Sequence, residues 1–143
     1  MIAIANDHSA LAMKAEICAL LKEKGLEYKD FGTNDAQSCD YPEFGKPAAN
    51  AVASGECELG ILICGTGVGM SLVANKTRGV RCVVCSEPYS AKLSRQHNDS
   101  NMLSLGARVI GPDMARMIVN AWLDAEYEGG RHARRVAMLE DGK

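Results

Sequence analysis

The run Leu59-Gly60-Ile61-Leu62-Ile63, followed at once by Cys64-Gly65-Thr66-Gly67-Val68-Gly69, constrains this chain more than any other feature. The run is short, rich in branched aliphatic residues and free of charge, so it reads as a strand buried on both faces of a parallel sheet. Three glycines at alternate positions then let the backbone turn tightly and approach a ligand closely. Successive N–H groups in such a turn, leading into a helix N-terminus, form a concavity for an anion. Cys64 stands at its edge, in a field that favours negative charge. A base or nucleophile thus lies beside a candidate oxyanion hole, a pairing that points to chemistry as well as binding.

The rest of the chain alternates strand and helix patterns. Strands are predicted over Met1–Ala5, Glu27–Phe31, Leu59–Ile63, Arg81–Cys85 and Met102–Leu105. Helices are predicted over Ser9–Lys24, Pro42–Ser54, Met70–Lys76, Pro88–Gln96, Asp113–Glu126 and Arg131–Glu140. In the first helix Leu11, Ala15, Cys18 and Leu21 form the expected inner face, with Lys14, Glu16, Lys22 and Glu23 mostly opposite. Ser86 is the expected cap of the fourth helix, and Gly129-Gly130 the stop of the fifth. This order describes one α/β domain over residues 1–143, a parallel sheet with helices on both faces. Open sheets of this kind bind ligands outside the carboxyl ends of their strands. Asp7-His8, Cys64-Gly65-Thr66, Ser86 and Leu105-Gly106-Ala107-Arg108 all follow strands, which makes them candidates for one cleft.

Several function classes are excluded. A net charge of -2 over 143 residues argues against nucleic acid or a membrane surface as partner. The longest stretch without a strongly polar side chain, Leu59 to Gly65, is far too short to span a bilayer. Asn6 and Asp7 directly follow Met1-Ile2-Ala3-Ile4-Ala5, leaving no apolar core for an export signal. The six cysteines are therefore expected as reduced cytoplasmic thiols. The glycine loop lacks Gly-Lys-Ser/Thr, and it ends at Met70 without the last glycine of a dinucleotide fingerprint, so neither a P-loop nor a nicotinamide or flavin site is expected. His8, His97 and His132 lack metal-ligand spacing, so no metal is expected. Cys82-Val83-Val84-Cys85 spells C-x-x-C but falls in a strand, where positions i and i+3 face opposite sides.

Three other groups carry candidate chemistry. Asp7-His8 ends the first strand on the edge that carries the glycine loop. His97-Asn98 follows the fourth helix. Arg131 and Arg135 are four apart on a helix, so their guanidinium forks share one face and suit a phosphate. A thiol, an oxyanion hole, histidines and an arginine pair together suit a small phosphorylated metabolite.

The segments Ile63–Gly69, Cys85-Ser86-Glu87-Pro88-Tyr89-Ser90-Ala91, Arg95-Gln96-His97-Asn98-Asp99 and Tyr127-Glu128-Gly129-Gly130-Arg131-His132 resemble the type B ribose-5-phosphate isomerase family, which includes allose- and galactose-6-phosphate isomerases. The likeness covers essentially the whole chain, including Asp7-His8 and Asp40-Tyr41-Pro42. It implies a Rossmann-like three-layer α/β/α sandwich with a five-stranded parallel sheet. It also implies aldose–ketose isomerisation without metal or other cofactor, and a homodimer, alone or within a dimer of dimers, with composite active sites. By the same resemblance Cys64 is the base that moves a proton between C1 and C2. Thr66 orients or activates it, and the N–H groups of Gly65, Gly67, Val68 and Gly69 hold the enediolate oxygen. His97 opens the sugar ring with help from Asp7. Tyr41 and Asn98 contact sugar hydroxyls. His8, Arg131 and Arg135 hold the phosphate, joined by Arg108 across the dimer interface. Some members carry a catalytic Glu where this chain has Met70, so Cys64 is the base here. Ser9 and Asn6 depart locally from the family pattern, which bears on substrate preference.

The implied reaction interconverts ribose 5-phosphate and ribulose 5-phosphate. The alternatives are a six-carbon sugar phosphate as substrate, a phosphosugar-binding module without catalysis, and a thiol hydrolase or transferase. A sensor needs no base, so Cys64 and Thr66 argue against the module. A hydrolase would form a covalent adduct at Cys64, which the isomerase would not.

Overall fold

Alternate side chains along three central strands feed two separate cores, and this periodicity builds the molecule. The computed structural model describes residues 1–140, so the last three positions of the expected 1–143 domain lie outside the described residues. The strands are β1 (Ile2–Asn6), β2 (Tyr28–Asp30), β3 (Leu59–Cys64), β4 (Cys82–Val84) and β5 (Met102–Gly106). The helices are α1 (Leu11–Glu23), preceded by a single 3-10 turn at His8–Ala10, α2 (Pro42–Ala53), α3 (Val68–Asn75), α4 (Pro88–Asn98), α5 (Pro112–Asp124) and α6 (Arg131–Glu140). The strands form one parallel sheet in the order β2-β1-β3-β5-β4.

Ile2, Ile4, Ile61, Ile63, Leu103 and Leu105 face α1, α4 and α5, where Ile17, Leu21, Ala91, Ile118 and Trp122 complete one core. Ala3, Ala5, Leu62, Cys64 and Met102 face the other way, onto Ala48, Ala49 and Val52 of α2 and Met70 and Ala74 of α3. This is the period-two alternation of strands with helices on both faces. Helix α1 follows β1 on one face and α3 follows β3 on the other, although β1 and β3 are neighbours. The carboxyl ends of β1 and β3 therefore flank a switch point, where sheets of this type leave a crevice.

Four local expectations are corrected. In α1 the buried residues are Met13, Lys14, Ile17, Leu20 and Leu21, while Ala15 is exposed. Lys14 turns inward because its ammonium finds Asp30 Oδ2 at 2.9 Å, the Thr33 carbonyl at 2.7 Å and Asn34 Oδ1 at 2.9 Å, which occupies its three donors. Glu87, not Ser86, caps α4, its carboxylate accepting from Ser90 N–H. Helix α3 starts at Val68, two residues before Met70, because Gly67 at φ 82° supplies the left-handed entry turn. Helix α5 ends at Asp124, and the left-handed Gly129 and Gly130 shape the turn into α6 instead. Cys82 and Cys85 belong to different cores, as the strand reading requires.

Candidate active site

Register brings the ends of three strands level. Asn6 pairs with Ile63, and Cys64 with Gly106. Beyond them Ala107 N–H donates to the Cys64 carbonyl at 2.8 Å, and Arg108 N–H to the Gly65 carbonyl at 3.0 Å. The glycine loop is thus strapped across the end of β5. Ser104 reinforces it from below, its buried hydroxyl donating to the Gly67 carbonyl at 2.6 Å. A Cβ at Gly106 would lie 2.7 Å from the Thr66 carbonyl oxygen, so only glycine lets the loop pass this closely.

Within the loop, Gly67 N–H donates to Cys64 Sγ at 3.2 Å. The thiol is 5% exposed and sits beneath the first turn of α3. Val68 N–H is taken by Thr66 Oγ1 at 3.2 Å, so Thr66 shapes the loop, and Gly67 is the hydrogen-bond partner of the sulfur. Gly69 N–H lies in the first helical turn and has no acceptor within the helix, which makes it a candidate oxyanion donor. The Tyr41 ring lies over this point: a Cβ at Gly69 would stand 2.8 Å from Tyr41 Cζ. Arg108 reaches the other side of the loop, its Nη1 3.5 Å from the place a Gly65 Cβ would take.

At the end of β1, Asp7 accepts twice on one oxygen, from Ser9 N–H at 3.0 Å and from Ser9 Oγ at 2.6 Å. Its second oxygen remains for a ligand. His8 Nδ1 accepts from Cys39 N–H at 3.2 Å, with Cys39 Sγ 3.6 Å away. A neutral His8 ring so held carries its hydrogen on Nε2, as a donor. The segment that brings Cys39 and Tyr41 to the cleft is anchored by Lys14 at Thr33 and Asn34. The roles of Ser9 and Cys39 here are carried by short side-chain contacts that no sequence motif marks.

The remaining expected residues are elsewhere. Helix α4 runs back from the carboxyl edge, so His97 and Asn98, at its end, lie near the amino edge. There Asn98 shares a cavity of about 350 Å³ with Val80, Arg81, Cys82 and Leu139. His97 stacks on His132, ring centroids 4.4 Å apart and planes 14° apart, with Glu128 beside both. Arg131 and Arg135 are exposed on α6 next to this pair. Ser86 follows the edge strand β4, outside the group formed by Asp7, Cys64 and Arg108. The single chain therefore separates the candidates into two groups, as the half-sites of a composite site would be. One holds Asp7, His8, Tyr41, the Cys64–Gly69 loop and Arg108; the other holds His97, Asn98, Arg131 and Arg135. They are about the length of the sheet apart, roughly 16 Å for a five-residue strand. The expectation that thiol, histidines and arginine pair share one cleft does not hold within one chain.

A protein-family model for Ribose/Galactose Isomerase matches residues 2–139. The chain belongs to this family. Among its relatives, ribose-5-phosphate isomerase B of Escherichia coli is 58% identical, over 96% of this chain and 93% of that protein. D-erythrulose-4-phosphate isomerase of Pectobacterium atrosepticum is 43% identical, over 96% of this chain and 91% of that protein. The structure of Clostridium thermocellum ribose-5-phosphate isomerase B superposes with a TM-score of 0.96 at 52% identity, covering 98% of this chain and 95% of that one. That of the Thermotoga maritima ribose 5-phosphate isomerase gives 0.95 at 43% identity, covering 98% and 97%. For this family member the α/β architecture and the sequence motifs thus agree over nearly the full length.

Proposed function

We propose that this protein interconverts ribose 5-phosphate and ribulose 5-phosphate through an enediolate, as a homodimer whose two sites are each built from both chains. The observation that carries this reading is the thiol of Cys64, held by Gly67 N–H at 3.2 Å beneath the first turn of α3. A C–H beside a carbonyl is a very weak acid. Its removal needs a positioned base and charge stabilisation on oxygen at the same moment. Both are present within one loop.

The steps follow from the two half-sites. His8 and Arg108 of one chain, with Arg131 and Arg135 of a second copy, hold the phosphate, which anchors the flexible sugar. His97 of that copy takes the proton of the anomeric hydroxyl and a proton is returned to the ring oxygen, so the C1–O bond of the ring breaks and the aldehyde is freed. Asp7, through its free oxygen, and Asn98 and Tyr41 align the hydroxyls. Cys64 as thiolate removes the proton on C2. Negative charge gathers on the C1 oxygen, where the N–H groups of Gly65 and Gly69 receive it. Thr66 keeps the loop in the shape that aims these donors. The proton returns to C1, the C1 oxygen gains a proton and the C2 oxygen loses one, which gives the ketose. Residues 1–143 act as one domain in this reading, with α6 supplying the arginines to the partner. The six free cysteines suit a reducing compartment such as the cytoplasm.

The test is a panel of four-, five- and six-carbon aldose phosphates, with ketose formation followed directly. The four-carbon member belongs there because a relative named for a four-carbon sugar phosphate is 43% identical. Ribose 5-phosphate is expected to give the highest kcat/KM. A clear preference for another chain length reassigns the substrate, and no turnover of any member removes the enzymatic reading.

A further inference from the structure

His97, Glu128 and His132 lie 31 and four residues apart in sequence, a spacing that no metal motif predicts, yet the fold gathers them. Glu128 N–H donates to the Gln96 carbonyl at 3.0 Å, which ties the loop before α6 to the end of α4. His132 N–H donates to the Gly129 carbonyl at 3.0 Å, which sets the start of α6. One ligand atom from each of the three side chains then lies within 4.8 Å of the others. Glu128 Oε1 is 3.6 Å from His132 Nε2 and 3.9 Å from His97 Nε2. These distances exceed a hydrogen bond. His132 is 8% exposed, and its Nε2 is buried without a hydrogen-bond partner. A buried ring nitrogen in that condition calls for a partner, and a metal ion is one that would satisfy it.

We propose that this cluster is an inhibitory site for a divalent transition metal that prefers nitrogen ligands, zinc foremost. Two imidazoles and one carboxylate are a common zinc ligand set, with a fourth position left for water. Zinc–nitrogen and zinc–oxygen distances near 2.0–2.2 Å place tetrahedral ligand atoms about 3.4 Å apart, so the three atoms, now within 4.8 Å of one another, need to close by up to roughly an ångström and a half. They also need one ring to turn out of the parallel stack, so that both lone pairs converge. His97, with a third of its side chain exposed, has the room to do so. Arg131 and Arg135 stand close to His132 and oppose any cation. That field discriminates against magnesium and calcium, which bind through charge and oxygen, and leaves metals whose bonds to imidazole compensate. The consequence for catalysis rests on the reading that His97 opens the sugar ring: a metal on its ring nitrogen removes it from proton transfer.

The experiment separates binding from activity. Cobalt(II) chloride is titrated into the intact protein and the visible spectrum recorded. Four-coordinate cobalt bound by nitrogen and oxygen gives d–d bands without the near-ultraviolet charge-transfer band of a thiolate. This is the expected result, with loss of roughly tenfold or more in affinity in Glu128→Gln and in His132→Asn. In parallel, zinc chloride is expected to slow turnover of the cyclic sugar phosphate, reversibly on adding a chelator. Absence of the d–d bands overturns the proposal. So does a thiolate band that survives both substitutions, which would place the metal on Cys64 or Cys39. If no sugar phosphate is turned over at all, the spectra still decide the site, while the proposed reaction fails separately.

Discussion

Ser9 Oγ donates a 2.6 Å hydrogen bond to Asp7 Oδ1, on the same oxygen that receives Ser9 N–H. One carboxylate oxygen is thereby filled twice, and the proposed mechanism uses the other for substrate. Removing the hydroxyl frees the carboxylate to rotate and to offer either oxygen. Ser9→Ala is expected to lower kcat/KM for the cyclic sugar phosphate about tenfold, the scale of one hydrogen bond to a charged group. Ser9 is half-exposed, so thermal stability is expected to change little. Steady-state kinetics with a melting curve check both halves; unchanged kinetics would remove Ser9 from the site.

The two half-sites make a prediction that a single cleft would not. Cys64→Ala and His97→Asn chains are each expected to be inactive towards the cyclic substrate. Mixed in equal amounts with verified exchange, half the dimers are hybrids with one intact site of two, so about a quarter of wild-type activity returns. No recovery would place Cys64 and His97 of the same chain in one site.

Thiol accessibility gives an independent check on the fold. Burial pushes the Cys82 thiol up to about 12, and burial together with Glu87 pushes Cys85 up to about 11. Cys57 is also buried and raised, first by burial. Cys39 is half-exposed beside His8, and Cys18, half-exposed on α1, is raised mainly by burial. Brief iodoacetamide treatment followed by peptide mass spectrometry is expected to label Cys39 first, and Cys82 and Cys85 last. Early labelling of Cys82 would contradict the strand and core assignment.

Burial lowers the proton affinity of His132 below the ordinary histidine value of 6.5, and Arg131, His97 and Arg135 add to this against the pull of Glu128. The folded protein therefore binds a proton here less readily than the unfolded chain. The contribution to stability is whole above the ordinary value and is lost as the pH falls through the folded one. His132→Gln is expected to flatten the fall in stability just below pH 6.5. Urea denaturation between about pH 5 and pH 8 measures the slope; an unchanged slope would mean that His132 does not titrate differently on folding.

The fold was legible because its signals are local. Uncharged runs, glycine after Cys64 and proline at helix starts act within a few residues. The inner face of α1 was not, because Lys14 is buried by partners 16 to 20 residues away on β2 and the following loop. Motif likeness singled out the site residues, but their division between two edges follows from chain direction. Helix α4 returns antiparallel to the strands, and His97 stands at its far end. The approach of Glu128 and His132 to His97 depends on the Gly129-Gly130 turn, whose left-handed angles lead the chain into α6 against α4.

The two cores of the sheet differ in grain. One is filled mainly by Ile, Leu and Trp; the other, beneath the glycine loop, is rich in Ala, with Ala3 and Ala5 on β1 and Ala48 and Ala49 on α2. Small side chains let α2 lie close to the sheet, and Tyr41, at the head of α2, is thereby set down on Gly69. A methyl group added on this face lifts α2 and tilts the tyrosine away from the loop. Sequence drift in the coarse core registers as a change in melting temperature. Drift in the fine-grained one registers as a shift of Tyr41 against the glycine loop and, under the proposed function, as a change in which sugar fits.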